Sequence, residues 1–240
     1  SKGQQLALAA VPLDLAPLLR EMIFDRLKTV TLTSATLAAS GEFEFLESRL
    51  GLGIAPNPVT VKTILPSPFV YSEQCIFGIP NDIPDPREDE PGHSAAVVQV
   101  VHDLACAADG GMFVLFTSHT ALRRAAVELR AAVGERWPIL VQGEAPRDVL
   151  LRRFRDLGRA ILLGTDSFWE GVDVPGRALR SLVLTKLPFK VPSEPLTAAR
   201  LERLAEAGDD GFMHYLLPHA ALKLKQGFGR LIRRRDDRGI

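Results

Sequence analysis

The strongest constraint on this chain lies between residues 95 and 185, where short, unbroken apolar runs alternate with longer stretches of helical period. Met112–Thr117, Ile139–Val141, Ala160–Leu163 and Leu182–Thr185 are too short and too uniformly apolar for amphipathic helices, and read as buried strands. Ala95–Ala107, His119–Val133 and Pro146–Asp156, the last with proline at its start, read as the helices between them. A strand that is apolar on both sides needs cover on both faces, and a helix after each strand returns the chain in parallel. The predicted class is therefore α/β, a three-layer αβα arrangement with a mainly parallel sheet. Outside this region, Thr29–Thr33 and Val59–Leu65 are predicted as further strands, and Gly41–Leu50 as a helix behind a Ser40 cap. Pro66–Gly92 is proline-rich and acidic, as suits an irregular loop, and the tail reads as helices over Ser193–Ala207 and His214–Arg234.

Composition removes several classes of function. The chain is 46% hydrophobic and 24% charged, ordinary for a globular protein. No apolar run approaches the roughly 20 residues of a membrane span, and the short apolar stretch Leu6–Val11 has neither a basic leader nor a small-residue cleavage pattern. An intracellular, cytoplasmic setting without membrane partners is expected. Cys75 and Cys106 form no CxxC and have no neighbouring His cluster, which argues against a disulfide framework and against any zinc or iron–sulfur site in this chain. Lys plus Arg equals Asp plus Glu, 29 against 29. Local charge is less even: Lys223, Lys225, Arg230, Arg233, Arg234 and Arg235 crowd one stretch. Such a stripe can bind phosphate on a neutral protein, although from charge alone a solvated helix face is the simpler reading.

In open parallel sheets, ligands bind at the loops beyond the carboxyl ends of the strands. Three such ends carry hydroxyls here: Ser34 and Thr36 after the first strand, Thr117 and Ser118 after Phe113–Phe116, and Thr165 after Ala160–Leu163. The last loop, Gly164–Gly176, also holds the carboxylates Glu170 and Asp173 beside Gly171. Short hydroxyls and free backbone N–H groups suit phosphate oxygens, yet each one taken singly is as well explained by a helix cap or a turn. Near the carboxyl end, Gln226, Arg230 and Arg233 are spaced four and then three residues apart, so on a continuous helix they would share one face. Two guanidiniums and an amide on one face can grip a polyphosphate. Gly227 and Gly229, each costing about 1 kcal/mol inside a helix, would allow close approach there.

Together these segments resemble a known set. TSATL at 33–37, LFTS at 115–118, GTDSFWEGVDVPG at 164–176 and QGFGRLIRR at 226–234 look like motifs III to VI of superfamily 2 helicases. The SFWEGVD wording, the following LPFKVPSEP at 187–195 and QGFGRLIR are similar to the DinG/XPD branch in particular. The resemblance implies a RecA-like fold and a division into 1–37, the motif III edge of a first motor domain, and 38–240, a second RecA-like domain cut short at its end. In such helicases two domains clamp ATP and Mg2+ in their interface and move along single-stranded DNA. Carried over by motif, Arg230 and Arg233 would reach the γ-phosphate as arginine fingers, Arg233 being the better match. Gln226 would position that segment or touch the nucleotide, and Glu170, Gly171 and Asp173 would line the nucleotide cleft. Ser34 and Thr36 would couple the nucleotide state to DNA, and Thr117, Ser118 and Thr165 would meet the DNA backbone.

The departures from the family pattern are as informative. There is no GxxxxGK[ST] and no DEAH-like box, so the P-loop and the Mg2+ ligands would belong to the first domain of the same polypeptide. The iron–sulfur cluster of many family members would also belong there, with none in this chain. The resemblance implies an enzyme half, inactive alone, that serves 5′-to-3′ DNA unwinding in repair or replication in a bacterial nucleoid. A non-catalytic nucleic-acid-binding RecA-like module and an RNA-directed helicase remain the alternatives.

Overall fold

The computed structural model describes residues 10–38, 41–52, 60–133, 136–165, 168, 174 and 176–240. Its contacts divide the chain into two units, one formed by residues 1–65 and 189–222, the other by 66–188 and 223–240.

The second unit holds the sheet. Strands β1 (Met112–Leu115), β2 (Ile139–Val141), β3 (Ile161–Gly164) and β4 (Ser181–Leu184) lie in the order β2-β3-β1-β4, every pair parallel. Each crossover needs a helix, and the spacing of apolar residues supplies them. Numbering helices in chain order with α1 to α3 given below, α4 (Glu90–Ala108) turns Val97, Val101 and Ala105 inward, α5 (His119–Val133) Leu122, Ala126, Leu129 and Val133, and α6 (Arg147–Leu157) Leu150, Leu151 and Phe154. Because successive strand residues face opposite sides, β1 divides its side chains between two cores. Met112, Val114 and Phe116 join α4 and α5, while Phe113 and Leu115 join α6, Leu231 and Ile232. The Phe113 and Phe154 rings stand 4.7 Å apart at a tilt of 55°.

Tight turns set where these elements begin and end. Asp89 caps α4 by accepting from the Gly92 amide at 2.9 Å. Asp109 ends α4 in the left-handed region, φ 52°, and its carboxylate accepts from the Trp137 indole at 3.0 Å. That hydrogen bond, and then the nearby arginines, hold the Asp109 carboxyl below its usual range. Gly110 follows at φ 71°, where an added Cβ would lie 2.1 Å from the Arg159 carbonyl oxygen, so only glycine lets the chain turn into β1. The Arg180 guanidinium donates to the Ala108 and Asp109 carbonyls at 2.7 and 2.6 Å, satisfying the end of α4 from the start of β4.

The first unit contains α1 (Ala16–Leu19), running into a π-turn at Arg20–Phe24, α2 (Glu44–Leu50) and α7 (Pro195–Glu206). It also takes the π-turn Phe212–Leu216 and the start of α8 (Leu217–Phe228). Arg49 lies 5.5 Å from the Phe45 ring and 5.3 Å from that of Tyr215, and His219 meets both rings edge-on at 5.1 and 4.8 Å. In the second unit, α3 is the single turn Tyr71–Gln74 inside the otherwise irregular proline-rich stretch.

The α/β expectation holds, and α5 and β2 occupy the predicted residues. Three expectations do not hold. Thr29–Thr33 forms no strand and is largely exposed, as are the described residues of Val59–Leu65. A strand is stable only when a neighbour accepts its backbone bonds, and no strand of the described residues lies in the first unit. The helix expected over His214–Arg234 stops at Phe228. The Ser40 cap lies outside the described residues; α2 begins after Phe43, with no side-chain cap.

The double-sided core yields a stability prediction. Phe154 is fully buried against Phe113, so Phe154→Ala should lower the unfolding free energy by about 3–5 kcal/mol. Urea unfolding followed by circular dichroism checks this, and a loss below about 1 kcal/mol would contradict the packing described.

Candidate functional site

The register places Leu115 of β1 beside both Gly164 of β3 and Leu184 of β4. Three parallel strands thus end at one level, and the loops after them emerge along a common edge. Thr117 and Ser118 leave β1 exposed. The Ser118 hydroxyl accepts from the Ala121 amide at 3.2 Å, so it serves as the cap of α5. Thr117 borders a shallow depression with Glu90, His93, Ser94 and Lys186. Burial first, then the Lys186 ammonium, lowers the His93 imidazole from its ordinary value.

Thr165 is placed differently. It is buried, and its amide and hydroxyl both donate to the Gln142 side-chain oxygen, at 2.6 and 3.1 Å, with His119 Nε2 at 3.3 Å from the hydroxyl. Gln142 follows β2 and is itself fixed by donating from its backbone N–H to the Leu163 carbonyl at 3.0 Å. Beside it, Gly164 faces Phe168 so closely that a Cβ would lie 2.8 Å from the Phe168 side chain. The start of this loop is therefore held by a neighbouring strand end and by a buried ring. Glu170, Gly171 and Asp173, farther along, lie outside the described residues.

The arginines do not share a helix face. After Phe228 the amides of Gly229, Arg230 and Leu231 donate to Lys225, Gly227 and Phe228 as the helix unwinds, which leaves Gln226 on α8 and Arg230 in the turn that follows. Leu231 and Ile232 then enter the core. The amides of Arg233 and Arg234 both donate to one carboxylate oxygen of Asp237, each at 2.8 Å. Gly227 and Gly229 weaken the helix, and the Asp237 carboxylate takes amides that a continued helix would have turned to its own carbonyls. Arg230 and Arg233 are half-buried, whereas Arg234 and Arg235 are exposed.

Gln74 completes this corner. Its amide nitrogen donates to the carbonyls of Arg234, Arg235 and Asp237 at 3.0, 3.2 and 3.1 Å, and its oxygen accepts from Val70 at 2.9 Å. Sequence reading does not single out Gln74, Gln142 and Asp237, since a lone amide or carboxylate carries no periodic or motif signal. In the first unit, Ser34 and Thr36 are exposed, and their hydroxyls lie 3.1 Å apart with the Thr36 amide donating to Ser34. Among the described residues no group of three or more His, Cys, Asp or Glu could hold a metal ion. No helix among them is long and apolar enough to cross a membrane.

Residues 101–240 match the family described as the helicase C-terminal domain. The chain is 38% identical over 238 residues to the ATP-dependent DNA helicase YoaA of Escherichia coli (strain K12), covering 99% of this chain and 36% of that protein. It is 37% identical over 239 residues to the ATP-dependent helicase DinG of Mycobacterium tuberculosis (strain ATCC 25618 / H37Rv), covering 100% of this chain and 35% of the relative. It is also 36% identical over 248 residues to the 3′-5′ exonuclease DinG of Bacillus subtilis (strain 168), covering 100% of this chain and 26% of the relative. The chain thus spans about a third of the length of such relatives or less. A solved structure of an XPD helicase superposes with a TM-score of 0.57 at 16% identity, over 86% of this chain and 37% of that one, which supports the fold.

The Gln142 contacts make their own prediction. Gln142→Leu leaves the Thr165 amide and hydroxyl without that acceptor and should cost about 1–3 kcal/mol of stability. Urea unfolding measures it, and an unchanged midpoint would mean that Gln142 does not hold the loop.

Proposed function

This chain belongs to the helicase C-terminal domain family, of the DinG/XPD type, and we propose that it is the second motor domain of a longer ATP-dependent DNA helicase. In this reading Arg230 and Arg233 complete an ATP site whose P-loop and Mg2+ ligands lie on the first motor domain, with residues 1–37 contributing that domain's edge. The observation that carries the proposal is the pinned turn at 233–237. Its backbone is held by a carboxylate on one side and a buried amide on the other, and it carries Arg233, a half-buried residue. A planar, forked cation on a rigid backbone suits the equatorial oxygens of a transferring phosphoryl group, where charge develops. Gln226, Glu170, Gly171 and Asp173 would line the same nucleotide cleft.

Single-stranded DNA would pass the exposed strand ends. Thr117 is the group best placed to meet a phosphate, while Ser118 and Thr165, whose hydroxyls are already engaged, would act by shaping their loops. Ser34 and Thr36 would couple nucleotide state to DNA. Polarity of 5′ to 3′, a role in DNA repair or replication, and a cytoplasmic, nucleoid-associated setting follow from the family resemblance.

The isolated chain should show no DNA-stimulated phosphate release, because no P-loop lysine is present. In the full-length helicase, Arg233→Ala should lower ATP turnover by about 10³-fold or more, and Arg230→Ala by nearly as much. Affinity for a non-hydrolysable ATP analogue should change far less. Arg235→Ala, at an exposed position, serves as the control. Intact turnover in Arg233→Ala would overturn the assignment and favour a non-catalytic module.

A further inference from the structure

We infer that Gln74 and Asp237 are positioning residues for Arg233: together they fix the backbone from which its guanidinium is presented. The inference rests on the arginine assignment above and extends it to groups that touch no nucleotide. Residues 233–237 are polar and mostly exposed, so apolar packing does little to fix their conformation. Two amides converge on a single Asp237 oxygen at 2.8 Å each, and such charge-assisted bonds are roughly twice as strong as neutral ones. Asp237 is only 8% exposed.

Gln74 acts from the other side. It is 5% exposed and comes from the proline-rich stretch, far away in sequence. Its orientation is settled by its own contacts: the oxygen accepts from Val70, which leaves the NH2 group aimed at three carbonyls. Two hydrogens shared among three acceptors can come only from an amide or a cationic donor. The adjoining backbone strengthens the hold, since the Ile76 amide donates to the Gly239 carbonyl and the Gly239 amide to the Gln74 carbonyl, each at 3.0 Å. Upstream, Leu231 and Ile232 are buried at 3% exposure. Arg233 therefore rises from a segment anchored at both ends. A misplacement of about 1 Å in a positioning contact can cost about 10²-fold in rate, so the clamp would be read out in turnover.

Gln74→Glu distinguishes hydrogen bonding from packing, because it keeps the shape and replaces donors with a carboxylate facing three carbonyls. Asp237→Ala tests the opposite side of the turn. In the full-length helicase each should lower DNA-stimulated kcat by about 10- to 100-fold, with KM for ATP little changed. In an Arg233→Ala background neither should lower kcat further, because the group they aim is gone. Equal losses in both backgrounds, or an undiminished kcat, would overturn the inference. So would failure of both variants to fold, which would make these residues supports of the fold and not of the arginine. An Arg233→Ala protein with intact turnover would instead refute the arginine assignment, and that single variant separates the two failures.

Discussion

Strand β1 is hydrogen-bonded along both edges and covered on both faces, and the placement of the second unit's candidate groups follows from that. Its register with β3 and β4 ends three strands at one level, so Thr117, Thr165 and Lys186 leave the sheet from a common edge. The cost of burying a strand on both sides is that every side chain must be apolar and every backbone group paired. Met112, Phe113, Val114 and Leu115 meet the first demand at no more than 1% exposure, and the two neighbouring strands meet the second.

This is also why so much of the fold was legible. A strand buried on both faces has a sequence signature, an unbroken apolar run, and the predicted runs Met112–Thr117 and Ala160–Leu163 fall within two residues of the observed ends of β1 and β3. Helix α5 was readable to its termini because its apolar period is strong and a serine precedes it. Thr29–Thr33 has the same composition as a buried strand but none of the partners that would make it one. Propensity there favours a strand, and tertiary context decides otherwise. The end of α8 failed for the converse reason, since Asp237 reaches back from beyond the expected helix and takes the amides of Arg233 and Arg234.

The candidate site divides along the same line. The motif segments were legible because their residues are fixed in order and type. The groups that hold those segments are not, because Gln74 and Gln142 reach backbone far away in sequence and Asp237 folds back on the amides of Arg233 and Arg234, contacts that leave no periodic or motif signal. Gln142 holds the start of the loop after β3, and Gln74 with Asp237 holds the turn after α8. In both places buried or half-buried polar side chains satisfy backbone groups of a loop, the arrangement by which a rigid scaffold presents residues on irregular backbone.

In the proposed function this domain supplies a guanidinium to phosphoryl transfer on a neighbouring domain. The most direct measurement is a structure of the full-length helicase with single-stranded DNA, Mg2+ and ADP–aluminium fluoride, which mimics the phosphoryl group in flight. The Arg233 guanidinium is expected within hydrogen-bonding distance of the fluoride group, with the Asp237 and Gln74 contacts to its backbone intact. A complex in which the nucleotide is bound and closed over while Arg233 faces DNA or solvent would contradict it.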